Sequence, residues 1–153
     1  MSNNLVRQLL TYIDENIYAK ISMDELSRLF YFNKDYIMRS FKKELNTTIV
    51  DYMNKRRVYN SLDSLKNTQD SILKVALMHG FTSQEYYTEI FIKVMGVNPN
   101  AYRKFTKNSP TLTEENLNTI RKNLTDLQYQ LDQITNYKQS VPKETVKSLS
   151  RYR

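Results

Sequence analysis

The chain has 153 residues, 40% of them hydrophobic, enough for one packed domain or a small domain with an appendage. Two glycines and three prolines leave little material for tight hairpins or glycine-rich loops, and the lack of cysteine excludes disulfides and thiolate metal sites. A formal charge of +7 draws polyanions, whether nucleic acid or an anionic membrane surface, but does not choose between them.

Residues 1–10 show no long apolar run and no basic leader, so neither a signal peptide nor a membrane partner is expected, and the cytoplasm is the default location. Apolar residues then recur at helical spacing. Leu5, Leu9, Ile13 and Ile17 mark a first helix over about 4–17, and Met23, Leu26, Leu29 and Phe30 a second. Tyr36, Ile37 and Phe41 mark a third that ends near Leu45, and Ile49, Tyr52, Met53, Val58, Leu62 and Leu65 a longer fourth. Ile72, Val75 and Ala76 belong to a fifth that stops near Gly80; Tyr87, Ile90, Phe91 and Val94 to a sixth that stops near Gly96; and Pro99 opens a short seventh. Four-residue segments starting at Ser22, Thr82 and Thr111 have the form of a capping box, in which a hydroxyl accepts from an N–H three residues on and a carboxylate reaches back. Asn33 and Asn98 suit N-caps. No stretch alternates with period two, so the expected fold class is all-α.

The order of elements repeats. A short helix, a tight turn and a second helix occupy 22–45 and recur at 71–95, with the fourth helix between them, which is the helix-turn-helix arrangement. In the second unit Ile72, Ala76, Gly80-Phe81, Tyr87, Phe91, Lys93, Gly96, Pro99 and Tyr102-Arg103 stand at fixed spacings. The first unit carries Leu26-Ser27, Asn33, Tyr36-Ile37, Arg39, Phe41-Lys42-Lys43-Glu44 and Tyr52. This pattern, over about 5–105, resembles the AraC/XylS family of transcription regulators. The resemblance implies two helix-turn-helix subdomains joined by a long helix (about 48–65) that acts as a spacer and offers both recognition helices to successive major grooves. Three positions depart from the family pattern: Tyr31 at a turn where glycine is common, Ile92 within what is commonly a Phe-Lys-Lys run, and Ser64 where an apolar residue is usual in the spacer helix. Residues 1–106 are therefore expected to form an AraC/XylS-type DNA-binding domain.

On that reading double-stranded DNA is the partner. The third helix begins at Asn33 and carries Lys34, Asp35, Met38, Arg39 and Lys42 on one side. Arg39 can pair with guanine O6 and N7, Asp35 can accept from a cytosine amino group, and Met38 can pack on a thymine methyl. Lys42, Lys43 and the helix N-terminus suit phosphates. A solvated polar face is the alternative. The second recognition helix starts at Ser83 and differs in charge. Glu85 and Glu89 against Lys93 give a net −1, whereas Lys34, Arg39, Lys42 and Lys43 against Asp35 and Glu44 give +2 in the first. Gln84 can pair with adenine, Glu85 or Glu89 with cytosine, and Tyr86 can touch the backbone; equally, this helix can lie loosely on DNA while the first unit supplies the specificity. Lys93 and Lys104 suit phosphates, Arg57 and Arg103 are read as structural, and His79 as a partly buried helix end.

After Phe105 the resemblance ends, and Asn108-Ser109-Pro110 reads as a break. Residues 107–153 are expected to hold one helix over about 113–138 and a polar, basic tail. Leu117, Ile120, Leu124, Leu127, Leu131 and Ile134 form an a/d heptad stripe along that helix. Homodimerisation through the stripe is expected; packing back on the chain is the alternative. RNA polymerase is a further candidate partner, as for a protein-interaction module that touches DNA weakly. One histidine, no P-loop and no paired carboxylates in a recognisable setting argue against an enzyme, and no metal, cofactor or small-molecule pocket is suggested. The chain can equally be the DNA-binding part of a larger sensor-regulator.

Overall fold

The computed structural model describes residues 2–140; the basic tail expected beyond them lies outside the described residues. Eight α-helices and no strand are present among the described residues: α1 (Ser2–Glu15), α2 (Met23–Phe30), α3 (Lys34–Leu45), α4 (Ile49–Asn67), α5 (Ile72–Met78), α6 (Gln84–Met95), α7 (Pro99–Thr106) and α8 (Glu114–Gln139). Two compact units result. Of the described residues, the first contains 2–16, 21–49 and 132–140; the second contains 17–20 and 50–131. Helix α8, read from sequence as part of a separate 107–153 segment, is divided between them.

In the first unit α1 turns Leu5, Leu9 and Ile13, with Val6 and Leu10 beside them, into an apolar face that is wholly or almost wholly buried. Leu26 of α2 and Ile37 and Phe41 of α3 are buried in the same unit. The i, i+4 spacing of Ile37 and Phe41 commits one face of α3 to the core and leaves the other to solvent. The end of α8 is tied on by polar contacts. Lys138 pairs with Asp14 at 2.6 Å. Arg7 donates to the Ser140 carbonyl at 2.8 Å and lies over the Tyr137 ring at 4.4 Å from its centroid.

In the second unit an aromatic chain fills the core. Phe81 and Tyr87 have centroids 4.9 Å apart, Tyr87 and Phe91 5.6 Å, and Phe91 and Tyr102 6.1 Å, separations at which tilted and edge-to-face rings attract. The Ser61 hydroxyl donates to the Val58 carbonyl at 2.7 Å, so the buried Tyr87 hydroxyl, also 2.7 Å away, must be the donor to Ser61. Burial pushes the Tyr87 phenol up to about 12, which keeps that donor in place at neutral pH.

The helix starts show where the capping template misled. Ser22 caps α2 as expected. For α6 the cap is Ser83, whose side chain accepts from Tyr86 N–H, not Thr82. For α8 it is Thr113, which accepts from Asn116 N–H at 3.0 Å, not Thr111. When two hydroxyl residues precede a helix, the cap is the one from which the chain turns helical, and a spacing rule cannot see that.

The turn after α2 places Tyr31, where glycine is common, in a strained conformation. This residue sits in the left-handed region, φ 61° and ψ 33°, and is 92% exposed, so its ring contributes no packing to offset the conformation. The left-handed region costs an L-residue roughly 1–2 kcal/mol, against about 0.5–1 kcal/mol for the extra unfolded-state freedom of glycine. Tyr31→Gly should therefore stabilise the chain by about 0.5–1 kcal/mol, read as a rise of a few degrees in thermal midpoint. A lower midpoint would contradict this account of the turn.

Candidate nucleic-acid interface

Helix α3 is held by its cap and its core face. Asn33 Oδ1 accepts from the Tyr36 N–H at 2.8 Å, and Ile37, Ser40 and Phe41 are buried. Everything proposed for contact lies on the other side: Asn33, Lys34, Asp35, Met38, Arg39, Lys42 and Lys43 are all exposed. Lys34 is not idle. Its ammonium pairs with Asp24 of α2 at 2.8 Å, a contact that holds the lysine pKa up and the Asp24 carboxyl below its usual range. Arg39 makes a weak backbone contact from Nε to the Asp35 carbonyl at 3.3 Å.

Helix α6 repeats the design with other chemistry. Ser83 is half-buried at the cap; Tyr87, Phe91 and Met95 are buried; Gln84, Glu85, Glu89 and Lys93 are exposed. Asn33 and Ser83, Phe41 and Phe91, and Asn46 and Gly96 occupy matching places in the two repeats: cap, core and left-handed stop. The match identifies two residues that the sequence reading left out of the contact set. Thr88 and the exposed Ile92 stand on α6 where Met38 and Lys42 stand on α3. Aligning the repeats on their phenylalanines would have found both. Tyr86 has a different setting. Its hydroxyl accepts from Asn54 Nδ2 at 3.2 Å, and its ring lies 6.0 Å from that of Phe81.

The arginines read as structural are so. Arg57 donates to the carbonyls of Ile17 and Ala19 at 2.6 and 2.9 Å, and Arg103 to that of Leu65 at 3.0 Å. His79 is a buried helix end, with Nδ1 2.8 Å from the Val75 carbonyl. Among the described residues no cluster of ligands could hold a metal, and no helix is long and apolar enough to cross a membrane.

The heptad stripe is partly covered within the chain. Ile120, Leu127, Leu131 and Ile134 are buried within the chain itself, and Leu117 and Leu124 are half-buried. Four of the six stripe residues thus have cover from the chain's own residues, the alternative to pairing with a second copy. A 3-4 apolar spacing records that a helix has one buried face, not what covers it. In the second unit α8 reaches the end of the recognition helix: Asn123 Nδ2 donates to the Met95 carbonyl at 2.9 Å. Gly96 has φ 78°, and a Cβ there would lie 2.5 Å from Thr119 Cγ2.

A family model described as a helix-turn-helix domain matches residues 26–104, more than half of the chain. The chain belongs to the AraC/XylS-type helix-turn-helix family. This AraC/XylS-type chain is 31% identical over 110 residues to the uncharacterized HTH-type transcriptional regulator YbfP of Bacillus subtilis, covering 72% of this chain and 37% of YbfP. It is 31% identical to the probable transcription factor PqrA of Proteus vulgaris, covering 68% of this chain and 87% of PqrA. It therefore spans well under half of the Bacillus relative but most of the Proteus one. Its fold is shared with the DNA-binding domain of AdpA, a global transcriptional factor solved in complex with a target DNA, at a TM-score of 0.62 and 18% identity over 71% of this chain and 97% of that one.

Proposed function

We propose that this chain is a sequence-specific regulator of transcription that binds duplex DNA, each unit placing one recognition helix in a major groove. The observation that carries this is the exposed stripe Lys34, Asp35, Met38, Arg39 and Lys42 on α3, backed by a buried face that fixes its orientation. Among the described residues no bond engages those side chains beyond the Lys34–Asp24 pair and the weak Arg39 contact. The intramolecular cover over most of the heptad stripe supports binding as a single chain. The acidic α6 adds base recognition at the expense of attraction to phosphate, so the first unit contributes most of the affinity. The relatives named as transcription regulators support the same reading, and catalysis has no place in it.

Selection from random duplexes with the purified chain tests this, followed by titration of the selected duplex against salt. One preferred sequence should emerge. The slope of log K on log salt should fall between about −2 and −4, since each phosphate neutralised contributes roughly −0.9 and Lys42, Lys43 and the partly committed Lys34 are the main cations near the stripe. No enrichment over random duplex, or a slope near zero, would overturn the reading.

A further inference from the structure

Within the second unit, between α4, α6 and α8, lies a cavity of about 450 Å³, inside the range of about 300–1,000 Å³ common for small-molecule sites. The sequence suggests no such pocket because its third wall is α8, which begins beyond the 26–104 match to the helix-turn-helix model. Val50, Ile90, Val94 and Leu127 supply apolar surface. Lys55 reaches the cavity from α4 and Lys93 from the recognition helix α6. Neither lysine has a hydrogen bond or ion pair among the described residues, whereas Asp51, the carboxylate nearest in sequence, is already engaged within the protein. Tyr86 adds a third donor: its oxygen accepts from Asn54, so its own proton is free to point into the cavity. Asp126 also lines the cavity but is exposed, where solvent screens its repulsion.

Two unpaired ammonium groups and a phenol O–H beside an apolar wall are complementary to one kind of molecule. We propose that this cavity binds a small organic carboxylate with an apolar body. The acid group meets Lys55, Lys93 and the Tyr86 hydroxyl, and the body lies against Ile90, Val94 and Leu127. A consequence, which rests on the DNA-binding reading, is that the ligand weakens DNA binding. It neutralises Lys93 and adds a negative charge beside a helix whose net charge is already −1. Linkage then requires DNA to weaken the ligand by the same factor.

The probe is 4-phenylbutyrate, compared with the isosteric 4-phenylbutanol and 4-phenylbutylamine, on the whole chain by titration calorimetry and backbone amide NMR. Saturable binding of the acid is expected, with shifts at Asn54, Lys55, Ile90 and Leu127, and with the alcohol and amine at least about tenfold weaker. Lys55→Gln, an exchange of one partly exposed side chain, should weaken the acid about tenfold without changing the melting midpoint. Ile90→Trp should fill the cavity and abolish binding. Should that variant unfold, Lys55→Gln and the ranking of the three probes still decide. No saturation by about 10 mM acid, equal binding of acid and alcohol, or an unchanged Lys55→Gln overturns the site. DNA affinity with and without the acid forms a separate arm. A bound acid with unchanged DNA affinity overturns the coupling, while a chain that binds no duplex even without the acid defeats the DNA-binding reading and leaves the ligand titration readable.

Discussion

Leu127→Asp should lower the melting midpoint sharply while leaving the chain a monomer before and after. Leu127 is 2% exposed in the second unit, so the substitution removes a buried leucine and places a carboxylate in its site. Loss of the apolar side chain alone costs about 2–5 kcal/mol, and the unpaired carboxylate adds to it. Against a total stability of about 5–15 kcal/mol, that is a large share, and for a chain of this length it amounts to roughly 10 °C or more. Leu124, half-buried on the same stripe, should respond less to the same change, and Tyr129, 65% exposed, hardly at all. The opposite picture, a seam buried between two chains, makes a different set of forecasts. Wild type would sediment as a dimer at micromolar concentration, and Leu127→Asp would yield a stable monomer with its midpoint almost unchanged. Sedimentation of both proteins, with a melt of each, separates the two.

The stripe also shows how far the sequence could be read. Periodicity, with the Pro99 start signal for α7, marked all eight helices of the described residues, since the apolar residues are large and regularly placed. It placed Phe41 and Phe91 on the apolar faces of their helices, and the family resemblance singled out Tyr31 at a turn where glycine is common. What it could not supply were facts about pairs distant in the chain. The cover over Ile120 and Leu127, the Asn123 amide on the Met95 carbonyl and the lysines that share a cavity depend on where α8 runs. The contact face was legible on α3, where charges mark the exposed stripe. It was less so on α6, where Thr88 and Ile92 carry no charge and look like filler until the repeats are superposed. Tyr86 shows the reverse failure. A tyrosine on a recognition helix suggests a backbone contact, yet this one bonds to Asn54 of the spacer helix.

Arg39 and Glu89 should move affinity and specificity in different directions. Both are exposed, at matching places on α3 and α6. Arg39→Ala should cost about 1–3 kcal/mol on the selected duplex, a loss of roughly five- to 150-fold, because a guanidinium that pairs with O6 and N7 of guanine is replaced by nothing. Preference should relax at one base pair and stay elsewhere. The melting midpoint should hold, since the only bond lost is the 3.3 Å contact from Nε to the Asp35 carbonyl within the helix. Glu89→Gln removes a negative charge that faces phosphate, so binding to random duplex should tighten by a few-fold and grow more sensitive to salt. Preference for the selected sequence should shrink at the same time if Glu89 accepts from a cytosine amino group, because glutamine can no longer offer two acceptors there. Competition titrations of both variants on selected and random duplex give four affinities. If Arg39→Ala weakens both duplexes equally, Arg39 only holds phosphate. If Glu89→Gln leaves the selected-to-random ratio untouched, α6 lies on the DNA backbone without reading bases at that position.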